Sequence, residues 1–292
     1  MLKRINWKAV LYTFIWVVSL SGLVVFMSFI EVQKTEVRCS DVKVFIPGNR
    51  SFIDRAELDS ILLAQQGPLV GRTLNKINIQ QLENALKANP FIKMARIYAD
   101  MDGVVHVQIE QREPVLRILN FANQDFYIDR NGLKIPISEN FTARVLVASG
   151  MILEGFNGKV DTLSTTIARG LYEAASFIEK DTLWNDQIEQ LYVNAQNEIE
   201  MVPRVGNHKI VLGTADSLNI KFRNLLRFYK DTLPKAGWEA YKTISLKYAN
   251  QIVCEKNTLT AAADSIMTSE PTEKPVDDSI KVTRTLTKIV KN

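Results

Sequence analysis

Cysteine and histidine are scarce: two of each stand in 292 residues. Cys39 and Cys254 are too few and too far apart for a disulfide framework. No C-x-x-C or Cys/His cluster provides the close ligand spacing of a zinc site. His106 lies inside an alternating apolar run and His208 in a turn-like stretch, so both read as structural residues. Charge of one sign is also missing. Lys and Arg number 36 against 32 acids, a formal +4. No basic run is interleaved with aromatics, which argues against a nucleic-acid partner.

Catalytic patterns are missing as well. Ser149-Gly150 is not set in a G-x-S-x-G elbow, and no glycine-rich phosphate cradle occurs. The acidic residues fall mostly on polar faces or in turns rather than as paired carboxylates in a pocket. The expectation is a protein without catalysis, cofactor, metal or small-molecule substrate. A membrane-anchored periplasmic hydrolase stands as the weakest alternative.

The sequence does contain one long apolar run. Val10 to Ile30 holds no charged residue across 21 positions, and 13 of them are Leu, Ile, Phe or Val. About 20 helical residues span a bilayer core of about 30 Å. At about −0.3 to −0.6 kcal/mol each, those 13 residues contribute on the order of −4 to −8 kcal/mol to insertion. A signal-peptide core is shorter and ends in small residues, whereas Met27-Ser28-Phe29-Ile30 offers no such cleavage site. Lys3, Arg4 and Lys8 precede the run without an acid, while the charges after it balance. By the positive-inside rule, residues 1–9 are cytoplasmic, 10–30 span the bilayer and the rest is exported.

Beyond the span, Glu36 to Ile46 alternates as a strand with Val42, Val44 and Ile46 on one face. Asp54 with Glu57 is a capping-box pattern opening a helix with Leu58, Ile61 and Leu62 on its apolar stripe. Gly67-Pro68 and Gly71 mark a loop. Asn78 and Gln81 open a second helix that stops at Asn89-Pro90. A hairpin follows around Asp102-Gly103, with Ile92, Met94, Arg96 and Tyr98 expected on one face and Val105, Val107 and Ile109 alternating on the return. After Glu110-Gln111-Arg112-Glu113-Pro114, strands are expected at Val115–Phe121, Phe126–Ile128, Leu133–Ile137, Arg144–Val147, Ile188–Val193, Glu198–Val202, Lys209–Leu212, Thr243–Tyr248 and Gln251–Cys254. Helices are expected at Leu163–Glu179 and from an Asp216 cap to Leu233. From Lys256 the composition turns polar and too poor in apolar residues to fold, so 257–292 reads as a disordered tail. Its last residues, Val282, Leu286, Ile289 and Val290, could line one face of a short helix.

This order of pieces resembles the bacterial cell-division family FtsQ/DivIB. Four stretches carry the resemblance: Asn89-Pro90-Phe91-Ile92-Lys93-Met94-Ala95; Val105 through Val115 with its acid, Arg and Pro; Tyr127-Ile128-Asp129-Arg130-Asn131-Gly132; and the late set Val211-Leu212-Gly213, Lys221-Phe222 and Ile244 through Tyr248. The sequence departs from the family's pattern at Met101-Asp102-Gly103, where Trp-Pro is common, and at Ser245 and Lys247, where Asp and Arg are common.

The resemblance implies an α+β chain: a single N-terminal transmembrane helix, a small POTRA domain of β-α-α-β-β order (36–113), and a larger mixed α/β "β domain" with an antiparallel sheet (114–256). It implies a divisome scaffold in the inner membrane at the septum, which helps control wall synthesis performed by other proteins. FtsB, FtsL and FtsK are the implied partners, and the lipid bilayer is met through residues 10–30. Partner binding is expected at Ile244, Leu246, Lys247 and Tyr248, with the neighbouring strand Gln251–Cys254, through strand addition at a sheet edge. Tyr248 either anchors a partner or packs on the last helix. The POTRA domain is also an interaction site in the family. A POTRA-bearing factor for export or envelope assembly is the second reading; repeated POTRA units or a barrel-forming region, its more usual marks, are not seen.

Overall fold

A computed structural model describes residues 7–48, 52–248 and 251–257. The expected tail (257–292) lies outside the described residues except for Asn257, and the cytoplasmic tail (1–9) is described only from Trp7. The apolar run forms α1 (Trp7–Glu36), and its membrane-length section, Val10–Ser28, is not buried by the other described residues. The helix outlasts the expected span at its far end. No Gly or Pro interrupts Glu31–Glu36, so intrahelical hydrogen bonding continues into the polar residues. Glu36 is therefore helical rather than the start of a strand.

The next unit contains β1 (Asp41–Phe45), α2 (Arg55–Gln66), a 3₁₀ turn at Leu74–Lys76, α3 (Ile79–Lys87), β2 (Ile92–Ala99) and β3 (Val104–Gln111). Its sheet order is β1-β3-β2, with β1 parallel and β2 antiparallel to β3. Asp54 caps α2 by accepting from Glu57 N at 2.7 Å. The Glu57 carboxylate accepts from Asn89 Nδ2, tying the end of α3 to the start of α2. Asn78 caps α3 by accepting from Gln81 N at 3.0 Å. Leu58, Leu62, Leu82 and Leu86 pack onto Ala95, Ile97, Val105, Val107 and Ile109 of the sheet. The face expected for β2 holds for Met94, Arg96 and Tyr98, which are exposed, but not for Ile92. A bulge between Ile92 and Met94 shifts the register and turns Ile92 into the core. Gly103 turns the hairpin at φ 83°; a Cβ there would sit 2.2 Å from the Arg38 carbonyl oxygen, so this turn requires glycine.

The larger unit holds β4 (Pro114–Ile118), β5 (Phe126–Asp129), β6 (Leu133–Pro136), β7 (Leu146–Gly150), β8 (Asp161–Thr162), α4 (Thr166–Lys180), α5 (Thr182–Gln187), β9 (Ile188–Val193), β10 (Ile199–Pro203), β11 (Lys209–Gly213), α6 (Leu218–Asp231), α7 (Leu233–Ala236), β12 (Tyr241–Ser245) and β13 (Val253–Lys256). All ten strands join one sheet in the order β13-β12-β11-β10-β9-β7-β4-β5-β6-β8. The sheet is mixed rather than antiparallel throughout: β4–β7, β7–β9 and β11–β12 are parallel pairs. The last two are joined through α4–α5 and α6–α7, crossovers of the kind that parallel neighbours need. These helices cover one sheet face, where Leu171, Ala174, Ile178, Trp184, Phe222 and Leu225 meet the inward strand residues.

Two local expectations are corrected here. Asp216 does not cap α6. The N-cap is Ser217, in a left-handed conformation at φ 51°, while the Asp216 carboxylate accepts from the Thr214 hydroxyl and from Lys221 Nζ. Lys221, 8 % exposed, also donates to the Leu212 and Thr214 carbonyls, so an inward-turned cation holds the carboxylate away from the helix start. The strand expected over Val115–Phe121 stops at Ile118 because Asn120 turns the chain, accepting from Gln124 N and donating to the Glu154 carbonyl.

The two units meet on the sheet face opposite α4. Phe52 stacks on Phe91 at 5.4 Å and meets Tyr127 and Phe141 edge-on at 6.1 and 4.9 Å. The Gln111-Arg112-Glu113 segment links them. Gln111 Oε1 accepts from Phe52 N, Arg112 donates to the buried Asp129 carboxylate at 2.8 Å, and Arg130 N donates to the Glu113 carbonyl.

Candidate partner-binding edge

At the end of the ten-stranded sheet, β13 covers β12 and no described strand covers β13. Their antiparallel register pairs Thr243 with Glu255, Ile244 with Cys254 and Ser245 with Val253. Leu246 N donates to the Val211 carbonyl on the β11 side, and Asn257 N donates to the Ala240 carbonyl. Backbone groups alternate sides along a strand. Val253 and Glu255 therefore turn theirs towards β12, while Cys254 and Lys256 turn theirs outward. The opposite end of the sheet, β8, is only two residues long, so β13 is the longer edge.

The four expected contact residues separate into two kinds. Ile244 and Leu246, 0 % and 2 % exposed, belong to the core under α6. Their side chains hold the strand in place and offer no surface. Lys247 and Tyr248 lie just past β12 on the outside. Tyr248 is 50 % exposed, so about half of its surface is packed against nothing among the described residues. Lys247 pairs with the Glu198 carboxylate, which precedes β10. That contact raises the lysine pKa and lowers that of Glu198. Gly213 lies beneath the lysine stem, where a Cβ would be 2.9 Å from Lys247 Cγ. The neighbouring strand runs over Val253–Lys256 rather than Gln251–Cys254. Its half-buried Cys254 packs against the core, and burial raises the thiol's pKa.

Elsewhere the polar groups act as structural ties. His106 Nε2 meets the Asp100 carboxylate at 2.7 Å and the ring stacks on Tyr98. His208 is buried among Tyr229 and Trp238, and desolvation lowers its pKa. Ser149 Oγ accepts from Gln190 Nε2 at 2.6 Å. Among the described residues, no group of three or more His, Cys, Asp or Glu side chains could hold a metal ion. Both cysteines are free, Cys39 at 2 % exposure.

Sequence reasoning missed one buried ionic centre. Glu154, with no exposed surface, accepts from Lys134 Nζ at 2.8 Å, from the backbone N–H groups of Ser164 and Thr165, and from both hydroxyls. Desolvation opposes its charge, but the lysine and these donors outweigh it and hold the pKa at about 2. Thr165 in turn caps α4 by accepting from Ala168 N. The five donors lie 10 to 20 residues away in sequence, and nothing in the spacing of these residues marked them as partners.

Residues 37–110 match a POTRA-like domain, and residues 113–255 match the family described as FtsQ/DivIB, C-terminal related. The first stretch takes in β1 to nearly the end of β3, and the second ends inside β13. No curated protein matches the chain. With a POTRA-like unit, this C-terminal unit and an N-terminal helix that fits a single-pass inner-membrane anchor, the chain belongs to the FtsQ/DivIB family of cell-division scaffold proteins.

Proposed function

We propose that this protein is a divisome scaffold that recruits a partner strand to β13 and thereby links early and late division proteins at the septum. Residues 1–9 are cytoplasmic, 10–30 cross the inner membrane, and the units at 36–113 and 114–256 work in the periplasm. The partners are division proteins of the FtsB and FtsL kind, with FtsK a further contact, and the outcome is control of septal wall synthesis. One observation supports this reading above the others: the ten-stranded sheet ends in a strand whose outer backbone groups, at Cys254 and Lys256, have no described strand beside them. An added strand takes main-chain hydrogen bonds there. Tyr248, exposed just past the end of β12, supplies an aromatic anchor.

The test is co-purification of division proteins with the full-length chain from membranes, wild type against Lys256→Pro and Tyr248→Ala. Proline at 256 removes an outward N–H and leaves the inward ladder of Val253 and Glu255 intact. The expected result is loss of partners with Lys256→Pro and a weakening of roughly 30-fold with Tyr248→Ala. Retention of the same partners by both variants, with unchanged circular dichroism, would rule out the edge.

A further inference from the structure

α1 runs without a break from the apolar span to the start of the POTRA-like unit. From Ser28, the end of the span, to Glu36, the helix rises about 12 Å at 1.5 Å per residue. The polar layer of a bilayer is roughly 5 to 8 Å deep on each side. The POTRA-like unit thus begins just above the headgroups.

Short backbone bonds also fix the chain to that unit as it leaves the helix. Leu74 N donates to the Val37 carbonyl at 2.9 Å, Cys39 N to Arg72 O at 2.8 Å and Gly71 N to Cys39 O at 2.7 Å. On the other side, Ser40 N donates to Gly103 O at 2.9 Å. The 3₁₀ turn at Leu74–Lys76 packs beside α1 itself. Two loops, 70–76 and 101–103, therefore flank the helix exit, within a few ångströms of the headgroup layer.

Their exposed residues, with Arg38 beside them, combine apolar tips with an excess of cations. Val70 and Met101 are apolar and 59 % and 83 % exposed. Arg38 and Lys76 are exposed and Arg72 is partly so, while Asp102 is the acid within these loops. Apolar tips beside cations suit an interface where acyl chains meet anionic headgroups.

We infer that these two loops rest on the membrane surface and bind anionic lipid headgroups, so that the POTRA-like unit is held against the bilayer. The inference rests on the reading of α1 as a membrane anchor. It is tested with the full chain in bilayer discs of phosphatidylcholine alone or with phosphatidylglycerol, carrying spin labels on Val70→Cys or Met101→Cys in a Cys254→Ala background. Labels on Leu20→Cys and Val205→Cys serve as references for the span and for open solvent. The expected result is that phosphatidylglycerol lowers access of a water-soluble relaxation agent to the two loop sites by roughly fivefold. Adding Lys76→Glu or high salt reverses this, and Val205→Cys does not change. Equal access in both lipids, with the Leu20→Cys label buried in the bilayer, overturns the docking and leaves the anchor standing. A Leu20→Cys label open to water overturns both.

Discussion

Glu154→Gln should be among the most destabilising conservative substitutions in this chain. The carboxylate has no exposed surface and takes five donors, among them Lys134 Nζ with 5 % of its side chain exposed. The carboxamide keeps one acceptor oxygen, loses the charge and turns an NH₂ towards groups that themselves donate. Lys134 would lose its charged buried partner, leaving the amide oxygen at best, the Gly155 carbonyl at 3.0 Å and the Asp161 carboxylate at 3.8 Å. Removing one partner of a buried ion pair costs about 3 to 5 kcal/mol. The pKa provides a second route to the magnitude. A fall from 4.5 to about 2 corresponds to about 3 kcal/mol of stabilisation. Because the folded-state value is the lower one, this contribution is complete above pH 4.5 and is lost as pH falls from there towards 2. Urea unfolding of the full chain, followed by the fluorescence of the buried Trp184, should show a loss of about 3 kcal/mol at pH 7. The difference between wild type and variant should shrink as pH falls below 4.5. A Lys134→Met/Glu154→Gln double variant should recover part of the loss. A single variant within about 1 kcal/mol of wild type, or a double variant no better than the single, would refute the electrostatic account.

Phe52→Ala should cost about 3 to 5 kcal/mol, because the side chain is 1 % exposed and touches three rings where the two units meet; the change in urea midpoint measures it. A thiol reagent on the folded chain should modify Cys254 well before Cys39, since Cys254 is half-buried on an edge strand and Cys39 is 2 % exposed. Both thiols are raised in pKa by burial, so both rates should rise with pH above neutrality, as counted by mass spectrometry.

Much of the local structure could be read from the sequence because its causes are local. The uncharged run Val10–Ile30 required a long helix, Asp54 and Asn78 capped the helices they precede, and Asp102-Gly103 turned the hairpin. Alternation in Val105, Val107 and Ile109 put them in the core. Inference failed where a bulge or a competing side-chain contact that the periodic pattern does not encode decided the outcome. A bulge reversed the face of Ile92, and Lys221 drew Asp216 away from capping. The candidate edge was half legible. The pattern around Ile244–Tyr248 marked a strand near the sheet's end, but burial of Ile244 and Leu246 and exposure of Tyr248 depend on which strand face α6 covers.

By itself, then, the sequence determined the long apolar N-terminal helix, the order of the main strands and helices and the α+β class, since periodicity and capping act over a few residues; the short elements β8, α5 and α7 carried no such pattern. Only the tertiary structure decided that β13 is the sheet's edge among the described residues, that Glu198 holds Lys247, that Glu154 joins Lys134 to the start of α4, and that Phe52 reaches Tyr127. Those contacts span tens of residues, and strand order in a mixed sheet is set by helical crossovers and by how the faces pack, which no local pattern encodes.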